Sequence, residues 1–268
     1  EESEGWRRKR RERVGKKMGG AGIQADIKTI TVHNMYAMSV ITALTAQNTC
    51  GVYAVQDSDR DFVAQQIDCV FEDIRPDAVK IGMVSDISII EVIAEKLLQY
   101  KADNIVLDPV MVATSGGKLL KDSSVGALTE KLMPIASIIT PNINEAEILS
   151  GIEIEDKEDM CEAAQKIIEE NGLECPILIK GGHLDAAAED LLYFADGRKV
   201  FLRGERIDNP NTHGTGCTLS SAIACGLAKG LSIEESTKEA KAFVAGAIRA
   251  GLDLGEGRGP LNHMYLLK

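Results

Sequence analysis

The stretch Asn211-Thr-His-Gly-Thr-Gly-Cys-Thr-Leu-Ser-Ser221 sets a glycine on each side of Thr215 and follows with Cys217. Small and apolar residues then continue at helical spacing through Ala-Ile-Ala-Cys-Gly-Leu-Ala. This pattern predicts a tight glycine turn opening directly into a buried helix. The backbone N–H groups of Gly214, Thr215, Gly216 and Cys217 would be uncapped donors at the positive end of that helix, suited to an anion and above all to a phosphoryl group in transit. In the first helical turn the dipole lowers a thiol from about 8.5 toward neutrality, so Cys217 is expected to be partly ionised. The same letters also spell a Gly-rich loop before an ordinary core helix, with Cys217 as a small hydrophobe. G-T-G-C by itself does not choose between the two.

Other reactive side chains stand where apolar runs stop. Asn104-Ile-Val-Leu-Asp-Pro-Val-Met111 reads as a buried strand with Asp108 at its C-terminal tip, before a proline that ends it. A carboxylate there is suited to hold Mg²⁺ near phosphates. Ala136-Ser-Ile-Ile-Thr-Pro-Asn142-Ile-Asn-Glu145 reads as strand, turn and helix start. Asn142 and Glu145 are either an N-cap with its capping-box partner or metal and phosphate ligands, and both roles can hold at once. Pro176-Ile-Leu-Ile-Lys180 is again a strand ending in a polar group, and Lys180 could neutralise phosphate charge. Tyr36 to Gln47 is a β-branched apolar run, expected as a fully buried strand that delivers Gln47 at its C-terminal end. An amide offers both a donor and an acceptor, which suits a ligand edge that presents one of each. Met83 could pack on a flat ring or simply fill the core. Asp26 is either a solvated helix residue or a buried carboxylate facing a ligand.

The elements between these points alternate. Helical spacing covers Ile23 onward, Phe62–Phe71, Ile89–Tyr100, Ser124–Met133, Asp159–Asn171 and Ser236–Leu252. Short apolar strands are expected at Ala78–Met83, Asn104–Met111, Ala136–Asn142 and Pro176–His183. Leu191–Leu202 is a hairpin across Asp196-Gly197, and Gly116-Gly117 marks a loop. Strands alternating with helices predict an α/β fold: one doubly wound, mostly parallel sheet flanked by helices. A chain of 268 residues with 44% hydrophobic residues can bury such a core.

Net charge is −11, which argues against general affinity for nucleic acid or anionic membrane. No apolar run reaches the roughly 18 residues needed to span a bilayer, and no signal peptide is visible. The six cysteines show no C-x-x-C pair or metal-ligand spacing and read as reduced thiols of a cytoplasmic protein.

Six motifs resemble, in order, those of the hydroxymethylpyrimidine/phosphomethylpyrimidine kinases of thiamine biosynthesis, within the ribokinase-like superfamily. They are Gly19-Gly-Ala-Gly-Ile-Gln-Ala-Asp26, Ser39-Val-Ile-Thr-Ala-Leu-Thr-Ala-Gln-Asn-Thr49, Lys80-Ile-Gly-Met83, Asn142-x-x-Glu145, Asn211–Ser221 and Gly259-Pro-Leu-Asn-His263. The resemblance covers residues 19–268. Cys217 stands where most of the superfamily carries Asp, which resembles the pyrimidine branch, although some pyridoxal kinases share that Cys. Asn34 and Ala37 stand where many relatives have Gly.

The resemblance implies an ATP- and Mg²⁺-dependent kinase of 4-amino-5-hydroxymethyl-2-methylpyrimidine and of its monophosphate, working as a homodimer. Cys217 with Gly214, Thr215 and Gly216 would be catalytic. Asp26, Gln47, Met83 and Val110 would bind the pyrimidine; Asn142, Lys180 and Thr212 would bind ATP; Asp108 and Glu145 would serve the metal. Pyridoxal or pyridoxine is the alternative substrate, and an impaired kinase scaffold acting as a binding protein is the alternative class.

Residues 1–17 hold eight Lys/Arg against four Glu and read as a basic, unstructured tail ahead of a kinase domain at 18–268. Relatives place an apolar strand and a Gly-Ser-Asp loop before this G-G-A-G. The charged letters here predict that the family's first strand is absent, with an exposed apolar groove, low stability and weak activity as consequences.

Overall fold

The computed structural model describes residues 20–111, 122–182, 189–205 and 207–267. The expectations for the basic tail, for a strand ahead of Gly20 and for the Gly116-Gly117 loop lie outside these residues. In chain order the elements are helix α1 (Ile23–Val32), strands β1 (Ala43–Gln47) and β2 (Val52–Asp57), helix α2 (Arg60–Asp73), strand β3 (Val79–Ile81) and helix α3 (Ile87–Gln99). Strand β4 (Ile105–Leu107), helix α4 (Asp122–Ala127), strand β5 (Ile138–Ile139), and helices α5 (Ile143–Ser150) and α6 (Lys157–Asn171) follow. The chain continues through strands β6 (Ile177–Ile179), β7 (Asp190–Tyr193) and β8 (Lys199–Leu202) to helices α7 (Thr215–Ala228) and α8 (Ile233–Ala250).

The main sheet runs β3-β4-β5-β6-β7-β8, parallel through β6 and antiparallel in the β7–β8 hairpin. Its central strands are unbroken runs of Ile, Leu and Val because both faces are covered. Ile105, Leu107, Ile139, Ile177 and Ile179 pack into the layer that includes α2, α3, α5 and α6. Val106, Ile138 and Leu178 point the other way, into the layer of α7 and α8. Side chains that follow these strands are therefore delivered to one rim of the sheet, where open α/β folds bind ligands. Helix starts are set by local chemistry: Asn142, Asp156 and Ser232 each form a capping box with the acidic residue three positions on.

One expected strand is corrected. Of Tyr36–Gln47 only Ala43–Gln47 is extended into a ladder, and it pairs antiparallel with β2 in a separate two-stranded ribbon. Leu44 is 60% and Tyr53 69% exposed, so this is not a strand buried on both faces. The β-branched part of the run, residues 39–42, is anchored by side chains instead. Gln66 accepts from the Ile41 N–H (2.9 Å) and donates to the Ile41 C=O (3.2 Å), and Thr42 Oγ1 donates to the Met83 C=O at 3.3 Å.

β3 is an edge of the main sheet among the described residues. Val79 N–H bonds Asn104 C=O and Ile81 C=O accepts from Asp108 N–H. The peptide groups of Lys80 between them therefore point away from β4. Residues 39–42 and 78–84 line one large cavity, about 2120 Å³, which extends to the rim of the sheet.

Candidate active site

Every candidate residue named from the sequence lines this one cavity. Helix α7 begins at its centre. Gly214 is the N-cap with φ +89°, and no side chain caps the helix. A methyl group on Gly214 would collide with the Gly20 carbonyl oxygen, so only glycine lets the G-T-G turn close against the Gly20–Gly22 turn. The expected row of free amides is shortened by one, because Thr215 N–H and Oγ1 both bond the Thr212 C=O.

Asp108, at the tip of β4, is 2% exposed. Lys180, at the tip of β6, donates to its Oδ1 at 2.9 Å and lies 4.0 Å from Glu145. Ser220 Oγ, one turn into α7, donates to Asp108 Oδ2 at 3.3 Å. A Cβ on Gly216 would sit 3.6 Å from both Asp108 Oδ2 and Lys180 Nζ, which places the first turn of α7 directly over this pair. Burial opposes the Asp108 charge, but Lys180, Lys80 and the Ser220 hydroxyl overcome it and hold the carboxyl below its usual range. Burial also opposes the Lys180 charge, and Asp108 and Glu145 more than offset that, so the ammonium is held above its usual range.

Glu145 behaves differently. Its oxygens accept from Asn142 N–H (2.8 Å) and Met111 N–H (3.4 Å), while Asn142 Oδ1 accepts from Glu145 N–H at 2.9 Å. The capping-box alternative therefore holds. Burial raises the carboxyl to about 7, against the pull of Lys180 and with help from the Asp108 charge.

A second cluster centres on Lys80, which the sequence reading passed over as part of a strand. Its ammonium lies 3.1 Å from each oxygen of Asp26, with the Lys80 side chain 7% exposed. Ser221 Oγ donates to Asp26 Oδ1 at 2.8 Å. Asp26 is thus neither solvated nor free to meet a ligand with all its lone pairs; it is held by a lysine and a serine. A Cβ on Gly82 would lie 2.7 Å from Lys80 Nζ, so glycine leaves room for the ammonium. Burial disfavours the Lys80 charge, and Cys217, Asp26 and Asp108 together hold it above its usual range. The signal was a single charge inside Ala-Val-Lys-Ile-Gly, because a charged residue in a buried strand needs a partner.

Cys217 accepts from Gly22 N–H at 3.3 Å. The expected low thiol pKa is corrected: burial pushes the thiol up, and the nearby Lys80 only partly counters it. Desolvation outweighs position in the first helical turn. Gln47 lies near the other end of the constellation, its amide nitrogen 3.3 Å from Nε2 of the buried His213, a residue the sequence reading had not singled out. Met83, Val110, Asn142 and Thr212 line the same cavity.

A helix N-terminus facing a lysine–aspartate pair across the rim of a mostly parallel sheet is the layout of a ribokinase-like small-molecule kinase. A family profile described as phosphomethylpyrimidine kinase matches residues 17–262. The hydroxymethylpyrimidine/phosphomethylpyrimidine kinase of Rhizobium meliloti is 47% identical over 250 residues, covering 92% of this chain and 93% of its own. The fold matches an ADP complex of Bacillus subtilis pyridoxal kinase with a TM-score of 0.84, at 38% identity over 93% of this chain and 95% of that one. It also matches a phosphomethylpyrimidine kinase from Clostridium difficile with a TM-score of 0.74, at 46% identity over 86% and 94% of the two chains. The chain belongs to the phosphomethylpyrimidine kinase family.

Proposed function

We propose that this chain transfers the γ-phosphoryl group of ATP to the hydroxymethyl oxygen of 4-amino-5-hydroxymethyl-2-methylpyrimidine, and then phosphorylates the monophosphate to the diphosphate. The observation that carries this reading is the first turn of α7, with Gly216 and Cys217 set between the Lys180–Asp108 pair and the Lys80–Asp26 pair. The amides of Gly214 and Gly216 receive the transferring phosphoryl oxygens, and Lys180 balances the phosphate charge. Gln47 reads the ring edge, with Met83 and Val110 against its faces, while Asn142 and Thr212 border the nucleotide. The hydroxyl proton leaves late in a loose phosphoryl transfer and can pass to an oxygen of the transferred phosphoryl group, so Cys217, a neutral thiol, serves to orient the hydroxyl.

Asp108 and Glu145 fit a Mg²⁺ ion that uses one or two carboxylates and keeps its other positions for water and phosphate. Both carboxylates lie within 4.0 Å of one ammonium, so the site already balances positive charge at that point. The ion would neutralise the β- and γ-phosphates. Among the described residues no group of three or more His, Cys, Asp or Glu is placed to hold a metal.

Use of ATP is supported by the family and by the ADP bound to the pyridoxal kinase relative. That relative also supports pyridoxal as a second substrate. Two-copy association is supported by the exposed ribbon, where Leu44, Tyr53 and Val55 are apolar and open. Among the described residues no helix is long and apolar enough to cross a membrane. A coupled ATP-consumption assay with the pyrimidine and pyridoxal side by side tests the reading. Turnover of the pyrimidine well above pyridoxal is expected, and ATP use with neither would sink it.

A further inference from the structure

The contact between Gln47 and His213 joins two nitrogens, Nε2 to Nε2, at 3.3 Å. An amide nitrogen can only donate, so this contact is a hydrogen bond only if the ring nitrogen offers its lone pair. The ring proton then sits on Nδ1. His213 is 5% exposed, and its burial favours the uncharged ring that this requires.

The ring is held from several sides. His213 N–H donates to the Gly259 C=O at 3.1 Å, and the residue bridges Pro260 in parallel register. A Cβ on Gly20 would meet the ring edge at 3.1 Å, so the Gly20 backbone lies directly against it. The ring's position is therefore fixed, and the amide nitrogen that faces it makes Nε2 the acceptor. A Gln47 amide turned over by half a rotation would set its oxygen against that lone pair, which is repulsive.

Resting on the reading of Gln47 as the residue that meets the pyrimidine edge, we propose that His213 is a positioning residue that fixes which way this amide faces. One N–H of Gln47 is spent on His213, leaving the oxygen and the second N–H for the cavity. Thr45 Oγ1 reaches that oxygen only at 3.5 Å, so it remains available. An acceptor beside a donor complements a ring nitrogen beside an exocyclic amine. It rejects the same ring carrying a carbonyl in place of the amine, because two acceptors would then face each other. His213 is also the residue before Gly214, so one short segment sets both ring recognition and the phosphoryl-binding turn.

Calorimetry of 4-amino-5-hydroxymethyl-2-methylpyrimidine and its 4-oxo analogue tests this with the wild-type chain and His213→Phe, which keeps a ring but removes the acceptor. The wild type is expected to prefer the amine by about tenfold to a hundredfold. His213→Phe should bring the two dissociation constants within a few-fold of each other. A preference kept intact in a His213→Phe chain that melts like the wild type overturns the proposal. Nitrogen-15 spectra of the wild-type histidines decide the case if the variant fails to fold. A proton on Nδ1 of His213 supports the hydrogen bond, and a proton on Nε2 overturns it. Should the wild type bind neither compound, the functional reading falls, while the ring spectrum still decides whether His213 holds Gln47.

Discussion

Lys80 sets its ammonium 3.1 Å from both carboxylate oxygens of Asp26, joining β3 to α1 beside Cys217. The pair is nearly dry, with side-chain exposures of 7% and 20%. Removing one charge from such a pair strands the other. Lys80→Met is therefore expected to destabilise the fold by about 3 kcal/mol. Adding Asp26→Asn should return part of that loss, because the amide oxygen still accepts from Ser221. Chemical denaturation of the single and double variants checks both, and equal stability of Lys80→Met and wild type would refute the pairing.

Gly214→Ala tests the turn itself. At φ +89° a side chain is strained, and its Cβ would press on the Gly20 carbonyl. The Gly20–Gly22 turn must then move, taking with it the Gly22 N–H that holds Cys217. A drop in kcat of at least tenfold is expected, with a measurable fall in Tm. Normal turnover would mean that the turn is not shaped by this contact.

Burial, more than chain position, governs the thiol of Cys217. Alkylation near pH 7 should mark the exposed Cys50 and Cys69 first and leave Cys217 slow. Peptide mapping over time reads the order. Cys217→Ala should lower kcat by about a hundredfold with little change in KM, as loss of a group that orients the attacking hydroxyl does. Cys217 labelling ahead of Cys50 would restore the activated-thiol picture.

Asp108 and Lys180 could be read from the letters because each ends an apolar run too short to be anything but a buried strand. The direction of a parallel strand then fixes the rim that receives them. Asn142 and Glu145 were legible for a local reason, since a capping box is complete within four residues. The pairing of Asp26 with Lys80 was not, because the contact spans 54 residues and depends on which helix lies over which strand. Position in a helix suggested a low thiol pKa, but only the packed fold shows how closely this half-buried thiol is surrounded. Residues 36–42 looked like strand because β-branched letters favour one. Whether a neighbour is present to complete a ladder is not written in the run itself, and here Gln66 meets Ile41 instead.

The second buried histidine gives a pH test. His263 is 3% exposed and lies 2.9 Å from Thr218 Oγ1, whose own hydrogen is donated to the Gly214 C=O at 2.8 Å. This contact ties the buried neutral ring to the hydroxyl that holds the turn opening α7. Burial, reinforced by Lys28, pushes this ring down to about 4. An unfolded histidine titrates near 6.5. As pH falls from about 6.5 toward 4, the unfolded chain therefore takes up the proton first and stability is lost; above about 6.5 the contribution is complete. By pH 5 the loss is on the order of 2 kcal/mol. His263→Gln keeps an N–H donor but cannot titrate. Denaturation at pH 5 and pH 7.5 should show a smaller acid loss in the variant than in the wild type, by about that amount. His213 and the carboxylates are present in both chains, so their contributions cancel in the comparison. An equal acid loss in the two chains would show that His263 is not held as a neutral ring beneath the Gly214 turn.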